Sequence, residues 1–204
     1  SSKLAELNYE RFQSFSKAKL KKEGKPALLF FKGDVYQGLE AESFNQTALN
    51  YAQKHLSILS GLYGLINPLD ALLAYRLEMG TKFSYQTHKN LYSFWGNKIS
   101  EALEKKMQKN SDKVLINLAS KEYFDSLCPK NFPLPIIECV FKNLRKDTYK
   151  VVSFIAKKAR GKMARFIIEN RIRKKEGLKD FTEMGYKFSA KESSDKQWVF
   201  LSKD

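Results

Sequence analysis

Two short apolar runs, Ala27 to Phe31 and Val114 to Leu118, break off into the polar stretches Lys32-Gly33-Asp34 and Asn117 to Glu122. Runs of this length bounded by polar residues have the pattern of strands covered on both faces, which need helices to cover them. The rest of the chain supplies such segments. Leu4, Leu7, Phe12 and Phe15 recur at helical spacing over Ser1 to Leu20, before a breaker at Lys21 to Pro26. Asn45 to Leu59 puts Leu49, Ala52, Leu56 and Leu59 inward and stops at Ser60-Gly61. Asn67-Pro68-Leu69-Asp70 has the form of a helix start, with Asn67 as N-cap and Pro68 at the first helical position. Asn90 to Lys109 carries Leu91, Phe94, Trp95, Ile99 and Leu103. Ile136 to Phe141 and Tyr149 to Ile155 read as a hairpin around Lys142 to Thr148, followed by a basic helix over about Ala156 to Ile172. Tyr186 to Phe188 and Gln197 to Leu201 form a closing hairpin. The order predicts an α+β fold, and without internal repeats or a low-complexity linker, residues 1–204 are expected to form a single domain.

The cationic excess is concentrated. The chain carries 37 Lys+Arg against 22 Asp+Glu, a net charge of +15. Between Lys142 and Lys179 stand fourteen basic residues and three acidic ones, Asp147, Glu169 and Glu176, so this segment alone contributes +11. Polyanions are the expected partners. No apolar run is long enough to span a bilayer, and Ser1 to Leu20 is too charged for a signal peptide, so a cytoplasmic protein with no membrane partner is expected. Cys128, Cys139, His55 and His88 show no metal-ligand spacing, so no metal site and no cofactor are expected, and the cysteines read as buried thiols rather than a disulfide.

Two constellations carry possible chemistry. In Leu59-Ser60-Gly61-Leu62-Tyr63-Gly64-Leu65 the paired glycines permit a positive φ and close approach of backbone N–H groups to an anion. Between two helices, such a turn grips a DNA phosphate as a helix-hairpin-helix does. The alternative is a plain turn between two helices, and the G-x-x-G spacing departs from the G-x-G usual in such a hairpin. In the basic helix, Lys157, Lys158, Arg160, Lys162 and Arg165 form a cluster. Lys158, Lys162 and Arg165 share one face, while Arg165, Glu169 and Arg173 step on as a charge ladder. This face suits a phosphate backbone, or is simply a solvated helix face. Tyr63, Tyr75, Tyr92, Phe94 and Trp95 have the ring chemistry to stack on unpaired bases, although most such rings belong to cores.

The chain resembles the YaaA family of bacterial peroxide-stress proteins. The resemblance rests on Phe31-Lys32-Gly33-Asp34-Val35-Tyr36, Leu59-Ser60-Gly61-Leu62-Tyr63-Gly64, Tyr75-Arg76-Leu77-Glu78-Met79-Gly80, and Phe94-Trp95-Gly96. It continues through Ile116 to Ser120 with Glu122-Tyr123-Phe124, and from Ala156 to Gly161 on to Arg165 to Arg171. It implies a mixed α/β fold with a positively charged cleft and a helix-hairpin-helix, here Gly61 to Gly64, that binds double-stranded DNA. It also implies a role in surviving hydrogen peroxide by limiting free iron and iron-dependent DNA damage. Family chains usually begin upstream with a strand ending in a Ser-Pro-x-Lys-Thr-like segment, which is expected to be absent here.

These readings leave a non-enzymatic duplex-DNA binder using Gly61 to Gly64 and the Lys157 to Arg173 cations. They leave as an alternative an enzyme acting on nucleic acid or a phosphorylated small molecule. Asp34, Arg76, Glu78, Asn117 and Glu122 would be its catalytic candidates, with Lys158 and Arg160 beside them. Direct iron storage has only a carboxylate cluster to draw on.

Overall fold

The computed structural model describes residues 2–110 and 113–203. Ser1, where the first helix was expected to begin, and the Leu4 side chain lie outside the described residues. In chain order come α1 (Ser2–Gln13), α2 (Lys17–Glu23), β1 (Lys25–Pro26), α3 (Ala27–Phe30), α4 (Asp34–Leu39) and α5 (Gln46–His55). Then follow β2 (Ile58–Ser60), β3 (Gly64–Ile66), β4 (Ala71–Leu72), α6 (Leu91–Trp95), α7 (Lys98–Lys109), β5 (Leu115–Asn117) and α8 (Lys121–Phe124). The chain closes with β6 (Ile136–Arg145), β7 (Thr148–Lys150), α9 (Ser153–Glu169), β8 (Lys187–Phe188) and β9 (Gln197–Ser202). The fold class is α+β.

The main sheet has the order β5-β6-β9-β8, with β7 paired to the far end of β6. β5 and β9 run parallel to β6, and β8 and β7 close antiparallel hairpins on β9 and β6. Burial alternates along β6, turning Ile137, Cys139, Phe141 and Asn143 inward, as a strand's two-residue period requires. Opposite, Phe200 pairs in register with Phe141, and the two rings stack with centroids 5.4 Å apart.

α9 packs on this sheet through Ala156, Ala159 and Met163. Its later turns carry Ala164 and Ile168 into a second cluster, with Leu28, Leu39, Ala52 and Ile66. The helix is thus covered from two directions, which limits how much of its basic sequence reaches solvent. Met79, Leu91, Ile99, Leu103, Met107 and Leu127 form a third cluster around α6 and α7.

Several expected elements come out differently. The first helix is two helices, because Ser16 takes an extended conformation and its hydroxyl accepts the Lys19 amide at 3.0 Å, an N-cap that restarts the helix. Leu7, Phe12 and Phe15 consequently stay exposed. Ala27 to Phe31 is not a strand: Ala27–Phe30 is one helical turn, pinned by the Ala27 and Leu28 amides to the Asp70 and Pro68 carbonyls at 2.9 Å each. The run contains no β-branched residue, and its length is too short for periodicity to tell helix from strand. α5 starts where expected, with Asn45 Oδ1 accepting the Ala48 amide at 2.9 Å, but it ends at His55. The expected helix at Asn67 to Asp70 is a turn in which Asp70 Oδ2 accepts the Asn67 amide at 2.8 Å. Gly96, at φ +48, splits the Asn90 to Lys109 segment into α6 and α7. β5, the closing hairpin and the basic helix stand, the last beginning at Ser153 and ending at Glu169. The first hairpin forms with a tighter turn, because β6 runs on to Arg145 and β7 is only Thr148–Lys150, so Ser153 to Ile155, expected as strand, are the first turn of α9. No helix among the described residues is long and apolar enough to cross a membrane.

Candidate nucleic-acid interface

The basic helix has a close neighbour. α4 crosses α9 with Gly38 against the Lys158 carbonyl and Gly161 against the Val35 carbonyl, and a β-carbon at either glycine would overlap the opposing backbone. Gly161 weakens a helix interior by about 1 kcal/mol relative to alanine, and here it is what lets the two backbones touch.

The crossing recruits two of the expected DNA-binding cations. Lys162 Nζ donates to Glu40 Oε1 at 2.8 Å. Arg165 donates to the Leu39 and Glu40 carbonyls at 3.2 and 3.0 Å, to Ser43 Oγ at 2.8 Å and to Glu169 Oε1 at 2.6 Å, closing the end of α4. Their side chains are only 17% and 19% exposed, so these two brace the fold. The hydrogen bond from Lys162 holds the Glu40 carboxyl below its usual range. Arg160 is half-buried, and burial lowers its guanidinium pKa while the Glu138 charge works against that shift. Arg173 lies over the Tyr51 ring at 5.9 Å.

What remains for a ligand is a different subset. Lys146, Lys150, Lys157, Lys158, Arg171, Lys174 and Lys175 are exposed, and among the described residues none of them forms an ion pair. They lie on the β6–β7 turn, the strand leading into α9, the first half of α9 and the segment after it. α9 opens with no acidic residue and no side-chain cap, which leaves the positive end of its dipole uncompensated by the protein.

Gly61 to Gly64 joins β2 and β3, an antiparallel hairpin, and not two helices. Ile58 and the residues beyond Gly64 pair as strands once α5 has ended at His55, so the helix-hairpin-helix geometry is not formed. Gly64 does take a positive φ, +72. The amides of Leu62 and Tyr63 are already bonded to Ser60 Oγ at 3.1 and 3.0 Å, and Trp95 Nε1 donates to the Gly61 carbonyl at 3.0 Å. Both glycines are buried.

The catalytic candidates divide likewise. Arg76 pairs with Glu78 at 2.8 Å, the Glu122 carboxylate accepts the Gly80 amide at 2.8 Å, and Asn117 Oδ1 accepts the Ala119 amide at 2.9 Å. Glu78 and Glu122 both act on the Tyr123 phenol, whose pKa is raised first by burial and then by these charges. Asp34 lies in the first turn of α4. The chemistry that single-sequence reasoning missed is a group of phenols: Tyr36 stacks on Phe31 at 5.2 Å, and Tyr75 meets Tyr63 edge-on at 5.2 Å. Burial raises the pKa of Tyr36, Tyr63 and Tyr75. Tyrosine spacing alone gave no signal of it, because the three come from separate segments. A recess of about 410 Å³ near Gly80 to Ser84 and Lys89 to Tyr92, with Lys82 and Lys89 in its wall, was equally invisible. Among the described residues no three His, Cys, Asp or Glu side chains gather as a metal cluster would require.

A family model described as peroxide stress protein YaaA matches residues 1–192. Proteins described as UPF0246 protein from Teredinibacter turnerae and Saccharophagus degradans are each 49% identical over 203 residues, covering all of this chain and 79% of the relative. One from a Caulobacter species is 50% identical over 200 residues, covering 98% of this chain and 78% of the relative.

Proposed function

The chain belongs to the peroxide stress protein YaaA family, and from that membership we propose that it binds double-stranded DNA by its phosphate backbone, limiting iron-dependent damage to DNA during peroxide stress. The observation that carries this reading is the set of exposed, unpaired cations from Lys146 to Lys175. Lysine and arginine side chains without carboxylate partners gain most from a polyanion, because binding releases the counterions condensed on the nucleic acid. Contacts of this kind fix position without reading bases, so binding is largely independent of sequence.

The grip is assigned to Lys150, Lys157, Lys158 and Arg171 to Lys175 rather than to the Gly61 to Gly64 turn. The amides of Leu62 and Tyr63 have an acceptor in Ser60 Oγ, and a phosphate would have to displace it. Lys162 and Arg165 contribute by holding α9 against α4.

The test is a salt titration of binding to a mixed-sequence duplex. Each phosphate neutralised on B-DNA contributes about −0.9 to the slope of log affinity against log salt, so a slope of roughly −4 or steeper is expected. An affinity that ignores salt, or one confined to a single sequence, removes the reading.

A further inference from the structure

The most exposed large apolar side chain on α9 is Phe154, in its first turn. It is 67% exposed, and Val151, just before the helix, is 53% exposed. An aromatic ring in solvent forgoes the burial that drives its neighbours inward, and single exposed apolar residues usually need no explanation. The surroundings of this one do. Lys157 and Lys158 follow at i+3 and i+4, the two positions that share a helix face with residue 154, and Lys150 ends the preceding strand. All three lysines are exposed without ion pairs among the described residues, and α9 carries no acidic residue before Glu169. A neutral apolar partner would leave these charges desolvated, whereas a polyanion with an apolar interior matches both features at once.

We propose that Phe154 is a wedge that enters the base stack of bound duplex DNA while Lys150, Lys157 and Lys158 hold the flanking phosphates. The inference rests on the DNA-binding reading above and adds what the helix does to its ligand. Apolar side chains inserted between base steps unstack them and kink the duplex, most easily at flexible pyrimidine–purine steps. Cations alone would leave the stack closed.

The experiment uses a duplex carrying a fluorescent aminopurine base beside a TA step, titrated with the parent, Phe154→Ala, Phe154→Leu, and the double variant Lys157→Ala with Lys158→Ala. Aminopurine brightens when it is unstacked. Parent and Phe154→Leu are expected to raise the fluorescence, and Phe154→Ala is expected to bind about tenfold more weakly, the scale of one lost base-stacking contact, with no brightening. Its salt slope should match the parent's, because phenylalanine releases no counterion, whereas the double lysine variant should flatten the slope by about 2. A thermal midpoint unchanged in Phe154→Ala excludes unfolding as the cause. If the parent binds DNA without brightening, or Phe154→Ala brightens as the parent does, the wedge is overturned and the DNA-binding reading survives. If the parent does not bind duplex at low salt, both fall. If Phe154→Ala instead loses only binding to anionic phospholipid vesicles, the ring serves a membrane surface and the wedge is overturned.

Discussion

The Trp95 indole N–H donates to the Gly61 carbonyl at 3.0 Å while the same ring covers Gly64, so one side chain clamps both glycines of the β2–β3 turn. A β-carbon on Gly64 would lie 2.8 Å from two ring carbons, on a backbone with φ +72. Backbone strain and overpacking together predict that Gly64→Ala destabilises the fold by about 2–4 kcal/mol. Duplex affinity of the folded variant should stay at the parental level, because the Leu62 and Tyr63 amides remain with Ser60 Oγ. Measuring thermal midpoint and affinity at fixed salt checks this, and an affinity loss with an unchanged midpoint would return the turn to the DNA contact.

The Lys157 and Lys158 pair and Lys162, one turn further along α9, should behave oppositely under charge reversal. Lys157→Glu with Lys158→Glu touches only exposed, unpaired groups and is expected to shift stability by no more than about 0.5 kcal/mol while weakening duplex binding on every sequence. Lys162→Glu sets a carboxylate against Glu40 and should cost about 1–2 kcal/mol of stability. Combining it with Glu40→Lys restores the pair and should recover part of that loss, which a denaturant titration of the three variants reads directly.

The contrast between Lys158 and Lys162 also marks where sequence reading stops. Helical spacing places both on one face, and it does so correctly. It has no means of seeing that α4, brought in by Gly38 and Gly161, covers one end of that face and leaves the other open. The α+β class, β5, the hairpins and α9 were legible because each has a local period or a local turn. The fate of Ala27 to Phe31 was decided by carbonyls forty residues away, at Pro68 and Asp70. The Gly61 to Gly64 turn kept its predicted positive φ at Gly64, yet the elements it joins depend on where α5 stops, and no capping glycine marks that point.

Glu40 should make part of the α4–α9 contact acid-sensitive. Its folded pKa lies below the ordinary value of 4.5, chiefly through the hydrogen bond from Lys162. A depressed carboxyl pKa contributes stability that is full above the unfolded value and is lost as pH falls through the folded one. Glu40 is 49% exposed, so solvent screening limits the contribution to less than about 1 kcal/mol. The stability gap between the parent and Lys162→Met is therefore expected to be present near neutrality and to shrink as pH falls below the ordinary carboxyl value of 4.5. A gap independent of pH would show that Lys162 acts through its methylene packing alone.

At the alkaline end the sign reverses, and the buried phenols control it. Ser60 Oγ accepts two amides, which fills its acceptor capacity, so its own proton goes to Tyr75 Oη, 2.5 Å away. Burial pushes the Tyr75 phenol up to about 12 from its ordinary 10.0, against the opposing effect of the Ser60 bond, and Tyr36 is raised further still. An acid whose folded pKa is raised contributes stability that is intact below the unfolded value and is lost as pH climbs toward the folded one, by about 1.4 kcal/mol per pH unit for each such tyrosine. Stability is therefore expected to decline from about pH 10, with part of the tyrosinate absorbance appearing only as the circular dichroism of the fold collapses. Tyr75→Phe removes one of these groups and should flatten that decline. At neutral pH the same variant loses the acceptor of the Ser60 proton, worth about 1 kcal/mol. Ser60→Ala should cost more, since it strips the acceptor from two turn amides at once. If Tyr75→Phe follows the parent's alkaline titration, the Tyr75 phenol does not contribute to the decline, which must then come from Tyr36 or from the lysines.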